Sequence, residues 1–378
     1  MGLLNNYPVR TTITSGDRGL GSDDGTTVLF TPDAYGAYVA GRLGVYNVLD
    51  YGAVGDGVTD DTAAIHAAIS AAGAAGGGVV WLVGTFLVTG LTVSSNNVHI
   101  RGAGRHATTI KSHASIGSNP VLTIDGQYCS VRSLTLNGNS LGASLLYLKR
   151  SRFVADDLYC MNSATHGIRV AGTAGNTAHA GQFTNIYVIA CAGNGVFLDA
   201  YAYDTEFTNL WVGQCGVGVR AQDGALFFEN LHVWGCTGNG VEVRANASRF
   251  SNVYLESNGG RGIDIFNCSN ISVIGGVLWK NGGAGATCNT ANRNRFVGLG
   301  VYDNTGAGIS INPGNYNQIT GCNFFDDQGT KTQTYGVSLG AGSTSNIVAN
   351  AVARAGDHLT GSILDSGTTS VLTGNVTA

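Results

Sequence analysis

The feature that most constrains this chain is a repeat. The segments Val131 to Leu136, Ala155 to Cys160, Phe183 to Val188, Phe207 to Val212, Phe228 to Val233, Phe250 to Leu255, Val273 to Leu278, Phe296 to Val301, Ile319 to Phe324, Ile347 to Val352 and Leu372 to Val376 align with one another. Their starts advance by roughly 21 to 28 residues, the period of a solenoid whose repeats bury apolar faces only against their neighbours. Roughly seven residues after most of these segments comes a glycine followed by alternating apolar residues, as in Gly195-Val196-Phe197-Leu198 and Gly262-Ile263-Asp264-Ile265. Each coil thus carries two strands with a glycine-rich turn between them. Period-two alternation sends Phe183, Ile186 and Val188 inward and Tyr187 outward. The pattern predicts an all-β, right-handed single-stranded parallel β-helix (β-solenoid), closed at its start by an N-terminal capping helix.

Composition agrees with stacked strands. The 378 residues hold 58 glycines, 4 prolines and only 12% charged residues, with 43% apolar. Without a Gly-X-Y period this excludes collagen, and recurrent β-branched residues exclude disorder. A net charge of −4 and no basic run argue against nucleic acid as a partner. No apolar run is long enough to insert in a membrane, and Met1 to Asn6 is not the start of an export signal. The eight cysteines lie at coil spacing rather than in CxxC pairs, so they read as buried reduced thiols and no metal or cofactor is expected. Cys191, Cys215 and Cys236 share one turn position, which Asn258, Asn281 and Asn304 take over in later coils. Asn185, Asn209, Asn230 and Asn252 recur at the third strand position and read as a buried amide ladder at a bend.

Upstream, Tyr46-Asn47-Val48-Leu49-Asp50-Tyr51-Gly52-Ala53-Val54-Gly55-Asp56-Gly57-Val58-Thr59-Asp60-Asp61-Thr62-Ala63-Ala64-Ile65 leads into an alanine-rich stretch and then Gly76-Gly77-Gly78-Val79-Val80-Trp81-Leu82. Asp60 or Asp61 is placed to cap a helix whose face Ile65, Ala68 and Ile69 closes the open end of the core. This module resembles the N-terminal signature of the pectate-lyase-like β-helix superfamily, which includes polygalacturonase-type glycosidases and many bacteriophage tailspike and tail-fibre depolymerases. The resemblance implies structural roles for Asp56, Asp60 and Asp61 and a homotrimer. The chain lacks the Gly-His-Gly, Arg-Ile-Lys and Asn-Thr-Asp motifs of polygalacturonases and the calcium-binding aspartate cluster of pectate lyases. The expected division is residues 1–43 as a leader that attaches to other phage tail proteins, 44–110 as the entry and cap module, and 111–378 as coils.

Stacking the coils sorts outward residues into columns. One runs Tyr159, Tyr187, Trp211, His232, Tyr254, and another Trp234, Glu256, Trp279, Tyr302, Phe325. In-register outward aromatics make a platform for sugar rings, or a strip to bury against sister chains. Both remain open. In the second strand a column runs Arg169, Phe197, Arg220, Glu242, Asp264, Thr287, Ser310. Glu242 and Asp264 on consecutive coils would lie roughly 5 Å apart, which suits retaining hydrolysis, although Arg220 beside Glu242 suits an ordinary ion-pair ladder equally. Glu256, between Trp234 and Trp279, is the carboxylate to test first. Asp199, Asp204 and Glu206, with Tyr201 and Tyr203, read as a sugar-binding lip or a solvated bend. A lyase would use His232 or Tyr254 as base and Arg220 or Arg244 to neutralise a uronate.

The expected function is therefore a phage tail-associated protein that binds a bacterial surface polysaccharide and cleaves it by hydrolysis. Glu256, Glu242 and Asp264 are the catalytic candidates; Trp211, His232, Trp234, Tyr254, Trp279, Tyr302 and Arg220 are the substrate-binding ones. The expected location is the virion, with assembly in the host cytoplasm. Alternatives are a non-enzymatic structural or receptor-binding tail protein, and a polysaccharide lyase or secreted glycan-active enzyme.

Overall fold

The computed structural model describes residues 44–354 and 356–377 and, upstream, four two-residue strands, Val9–Arg10, Ser22–Asp23, Thr26–Thr27 and Leu29–Phe30. The attachment role expected of residues 1–43 falls outside the described residues apart from those strands. From Val45 onward the chain is a right-handed parallel β-solenoid. Its strands form two stacks, a wide sheet of 19 strands and a narrow sheet of 12. The entry strands Val45–Asn47, Asp56–Asp60, Gly78–Leu82 and Gly84–Val88 belong to the wide sheet, so entry module and coils share one core.

In the coils from Ala155 to Gly321 the wide-sheet strand turns a corner at its third aligned position. Asp157, Asn185, Asn209, Asn230, Asn252, Gly275, Gly298 and Gly321 all adopt positive φ there, between 52° and 67°. Asparagine and glycine tolerate this left-handed conformation better than other residues, which explains the recurrence. The corner inserts one residue into the alternation, so Phe183, Ile186 and Val188 all point inward. The amide ladder at this corner was expected to be buried, but its side chains sit on the outer surface at an outward kink. Asn209 Nδ2 donates to Asn185 Oδ1 (3.1 Å), Asn230 to Asn209 (3.0 Å) and Asn252 to Asn230 (2.7 Å).

The buried ladder lies at the next turn. Asn258, Asn281, Asn304 and Gln333 are essentially inaccessible, and each side-chain oxygen accepts the backbone N–H one coil earlier, from Cys236 N through to Asn304 N. Cys191, Cys215 and Cys236 hold this position upstream, and all eight cysteines are free and buried. Burial pushes the Cys160 thiol up to about 12. Phe183, Phe207, Phe228 and Phe250 stack along the core with ring centroids 4.2, 4.9 and 4.9 Å apart.

The recurring glycine at the start of the narrow-sheet strands answers to space. A Cβ on Gly240, Gly262, Gly285 or Gly308 would come within 2.6, 2.5, 2.6 and 2.5 Å of the carbonyl oxygen of the equivalent glycine on the next coil. The helix Thr62–Ala74 covers the first coil with Ile65, Ala68, Ile69 and Ala72. Asp60 Oδ1 accepts Thr62 N (3.0 Å) at its start, while Asp61 turns inward to accept Val54 N (2.6 Å) and Gly55 N (3.1 Å). Asp56 accepts the N–H groups of Val58 and Thr59, both at 2.8 Å. All three aspartates are thus occupied by backbone.

Candidate functional site

Wide-sheet residues beyond the corner face outward in the register expected. Tyr159 pairs with Tyr187, Tyr187 with Trp211, Trp211 with His232 and His232 with Tyr254. Trp234, Glu256, Trp279, Tyr302 and Phe325 follow one another in the second column. All these side chains are half-buried. The two columns merge because Gly213, one coil before Trp234, leaves room for the indole to lie across it. The rings then connect, with centroid separations of 5.1 Å for Tyr159 to Tyr187, 5.6 Å for Tyr187 to Trp234, and 4.9 Å from His232 to both Trp234 and Tyr254. At the upstream end Arg105 and His106 join Tyr159 and Tyr187 around a cleft of about 270 Å³. The sequence carried no periodic signal for Arg105 and His106, because they sit in a turn.

Glu256 lies within this patch, its Oε1 3.0 Å from His232 Nε2. Burial raises the Tyr254 hydroxyl above its ordinary value, and the Glu256 charge and hydrogen bond raise it further. Burial likewise raises Tyr187, with Tyr159 adding to it. Downstream, Lys280 Nζ sits 4.5 Å from the Trp279 ring centroid, Trp279 Nε1 donates to Asp303 Oδ2 (3.0 Å), and Tyr302 stacks on Phe325 at 4.0 Å. The arrangement offers ring faces for C–H stacking and, beside them, an imidazole and carboxylate able to exchange a proton.

Glu242, Asp264 and Arg220 lie on the narrow sheet, across the buried-ladder turn from Glu256. The register placing Glu242 beside Asp264 is as expected. Both are engaged. Glu242 receives Asn239 Nδ2 (3.0 Å) and pairs with Arg220 Nε (3.6 Å). Asp264, 3% exposed, meets Arg244 (3.0 Å), Arg261 (2.8 Å) and the Thr287 hydroxyl (2.6 Å). Burial alone would raise its carboxyl, but Thr287, Arg244 and Arg261 together hold it below the usual value. That environment opposes a proton-donating role and matches the ion-pair ladder. Arg169, paired with Asp199 (2.6 Å), lies between Tyr147 (5.0 Å) and Phe197 (5.9 Å) on the same face. Arg220 and Arg244 are not brought together with His232 and Tyr254 as the lyase arrangement required.

Of the Asp199, Asp204 and Glu206 cluster, Asp199 belongs to that ladder and Glu206 reaches the surface before the corner. Among the described residues no group of three or more His, Cys, Asp or Glu is placed to hold a metal. No helix among them is long and apolar enough to cross a membrane.

A parallel β-helix bearing an aromatic strip around an imidazole–carboxylate pair is the class that fold and site define. The family model described as rhamnogalacturonase A/epimerase, pectate lyase-like, matches residues 45–287, and one described as right handed beta helix region matches 215–376. The chain belongs to the pectate-lyase-like family. It resembles the mannuronan C5-epimerases of Azotobacter vinelandii in sequence, at 48% identity to AlgE1 over 109 residues, which is 25% of this chain and 8% of that protein. It resembles them also in fold, with a TM-score of 0.70 to the AlgE4 A-module at 19% identity, covering 88% of this chain and 97% of that one. The preneck appendage protein of Bacillus phage PZA is 26% identical over 272 residues, 61% of this chain and 31% of that protein. Tailspike protein 3 of bacteriophage CBA120 shares the fold at a TM-score of 0.66 and 15% identity, covering 90% of this chain and 62% of that one. The chain therefore spans a small part of the length of the sequence relatives it matches.

Proposed function

We propose that this is a phage tail-associated protein that binds a bacterial surface polysaccharide along its wide-sheet face and hydrolyses it there. The observation that carries the reading is Glu256, half-buried between Trp234 and Trp279 and hydrogen-bonded to His232. In this mechanism the sugar rings stack on Tyr187, Trp211, Trp234 and Tyr254. Glu256, oriented by His232, takes a proton from the attacking water while the leaving glycosidic oxygen takes one from solvent, so that water adds across the C–O bond. Trp279 and Tyr302 extend the platform, while Glu242, Asp264 and Arg220 stabilise the narrow face. Three such chains side by side would each retain the part of the strip that a partner leaves uncovered, and residues 1–43 would serve attachment in the virion. The relatives that support this placement are phage appendage and tailspike proteins.

Binding without cleavage is the second reading. It is favoured by the ion pairs that engage Glu242 and Asp264 on the narrow sheet, away from Glu256. The deciding experiment measures reducing-end release and ultraviolet absorbance of unsaturated uronates from capsular and cell-wall polysaccharides, for the wild type and for Glu256→Gln. Release that disappears in a folded Glu256→Gln supports hydrolysis. Release accompanied by new absorbance replaces it with a lyase. A polysaccharide that is bound but not shortened establishes the receptor-binding reading instead.

A further inference from the structure

A second outward face lies on the other side of the corner. Glu206, Phe227 and Arg249 occupy one register position on three successive coils, and Thr208, Glu229 and Ser251 the position two residues on. Preceding the left-handed corner, they face a different side of the solenoid from the aromatic strip. Glu206, Phe227, Glu229, Arg249 and Ser251 border a concavity of about 350 Å³ floored by Phe207 and Phe228. Phe227 is 43% exposed within it. The ring thus forms an open aromatic wall beside the carboxylates of Glu206 and Glu229. Arg249 Nε donates to Ser251 Oγ (3.1 Å), which holds the guanidinium along its own strand. Among the described residues neither Glu206 nor Glu229 enters an ion pair.

We infer that this concavity is a glycan subsite for an amino sugar with a free ammonium group. Phe227 offers its face to the C–H side of a pyranose and to a neighbouring cation. Glu206 and Glu229 flank it as charged acceptors, while one guanidinium against two carboxylates leaves the site net negative. A polyuronate chain meets repulsion there; an aminated chain meets complementary charge. The inference stands apart from the His232–Glu256 reading, since it concerns binding on another face.

The test is calorimetric titration of the intact protein with chitosan tetramer, its fully N-acetylated counterpart and mannuronate tetramer. The expected result is at least tenfold tighter binding of the chitosan tetramer than of the acetylated one, a preference that shrinks in high salt, and no binding of mannuronate. The double variant Glu206→Gln/Glu229→Gln loses the preference. Phe227→Ala weakens binding of the chitosan and acetylated tetramers. Equal binding of mannuronate, or a preference that survives the double substitution, overturns the assignment. So does a change in sedimentation of Phe227→Ala, because the patch would then be covered by another copy of the chain.

Discussion

Removal of the Asn281 side chain tests the ladder that holds the coils in register. Asn281 Nδ2 donates to Leu255 O and to Asn304 Oδ1, both at 3.0 Å, and its Oδ1 accepts Asn258 N (3.3 Å) and Asn258 Nδ2 (3.0 Å). In Asn281→Ala the Leu255 carbonyl and the Asn258 N–H lose these bonds in a place no solvent reaches. Each orphaned buried group costs about 1–3 kcal/mol, so with two of them the variant should lose about 2–6 kcal/mol. Asn252→Gly is the control, because it removes an exposed amide at a left-handed corner where later coils already use Gly275 and Gly298. That change should cost under about 1 kcal/mol. Equilibrium urea unfolding followed by far-ultraviolet circular dichroism measures both. An Asn281→Ala variant within about 1 kcal/mol of wild type would refute the claim that the ladder satisfies buried backbone.

Gly262→Ala should destabilise by about 1–3 kcal/mol, since its Cβ would lie 2.5 Å from the Gly285 carbonyl oxygen; a thermal melt equal to wild type would sink the steric argument. His99, His166 and His358 are each held below the ordinary imidazole value, with burial the first cause. Near pH 6.5 the unfolded chain then takes protons that the folded chain refuses, so stability is present above that pH and falls below it. Urea midpoints should be lower at pH 5.5 than at pH 7.5, and His358→Asn should reduce the difference. Asp264 contributes in the same direction further down: its stabilisation is present above the ordinary carboxylate value and lost as pH falls through its lowered one. Asp264→Asn should therefore flatten the acid limb of the stability profile and, by leaving Arg244 and Arg261 without their carboxylate, lower stability at pH 7.

Strand order, both aromatic columns and the register of the coils through Ile319 were legible from the sequence, because stacking forces equivalent residues of successive coils into contact; the segment begun at Ile347 is one residue out, since Val348 pairs with Ile319. Tyr187 opposite Trp211 and Glu242 opposite Asp264 follow from alignment alone. Three things were not. The corner amides Asn185 to Asn252 face out because the inserted left-handed residue shifts the alternation, and a period-two pattern carries no φ. The engagement of Asp264 depends on Arg244 and Arg261, which reach it from turns whose paths no periodicity specifies. The cleft around Phe227 escaped notice for a related reason: Glu206 was grouped with Asp199 and Asp204 by sequence proximity, whereas its partners Phe227 and Glu229 come from the next coil.

The corner also explains why family membership constrains chemistry so little. Inward positions are dictated by the stack: the phenylalanine column, the close-approach glycines and the buried amides each need a like partner one coil away. Outward positions carry no such demand, and the corner splits them into independent faces. In one stretch of chain, Phe227 and Glu229 face one side and His232 and Trp234 another, with Asn230 between them. Substitutions on either face can therefore change its chemistry without disturbing the core. The solenoid is thus matched in fold over most of its length by epimerase and phage proteins alike, while the outward columns are free to differ from chain to chain.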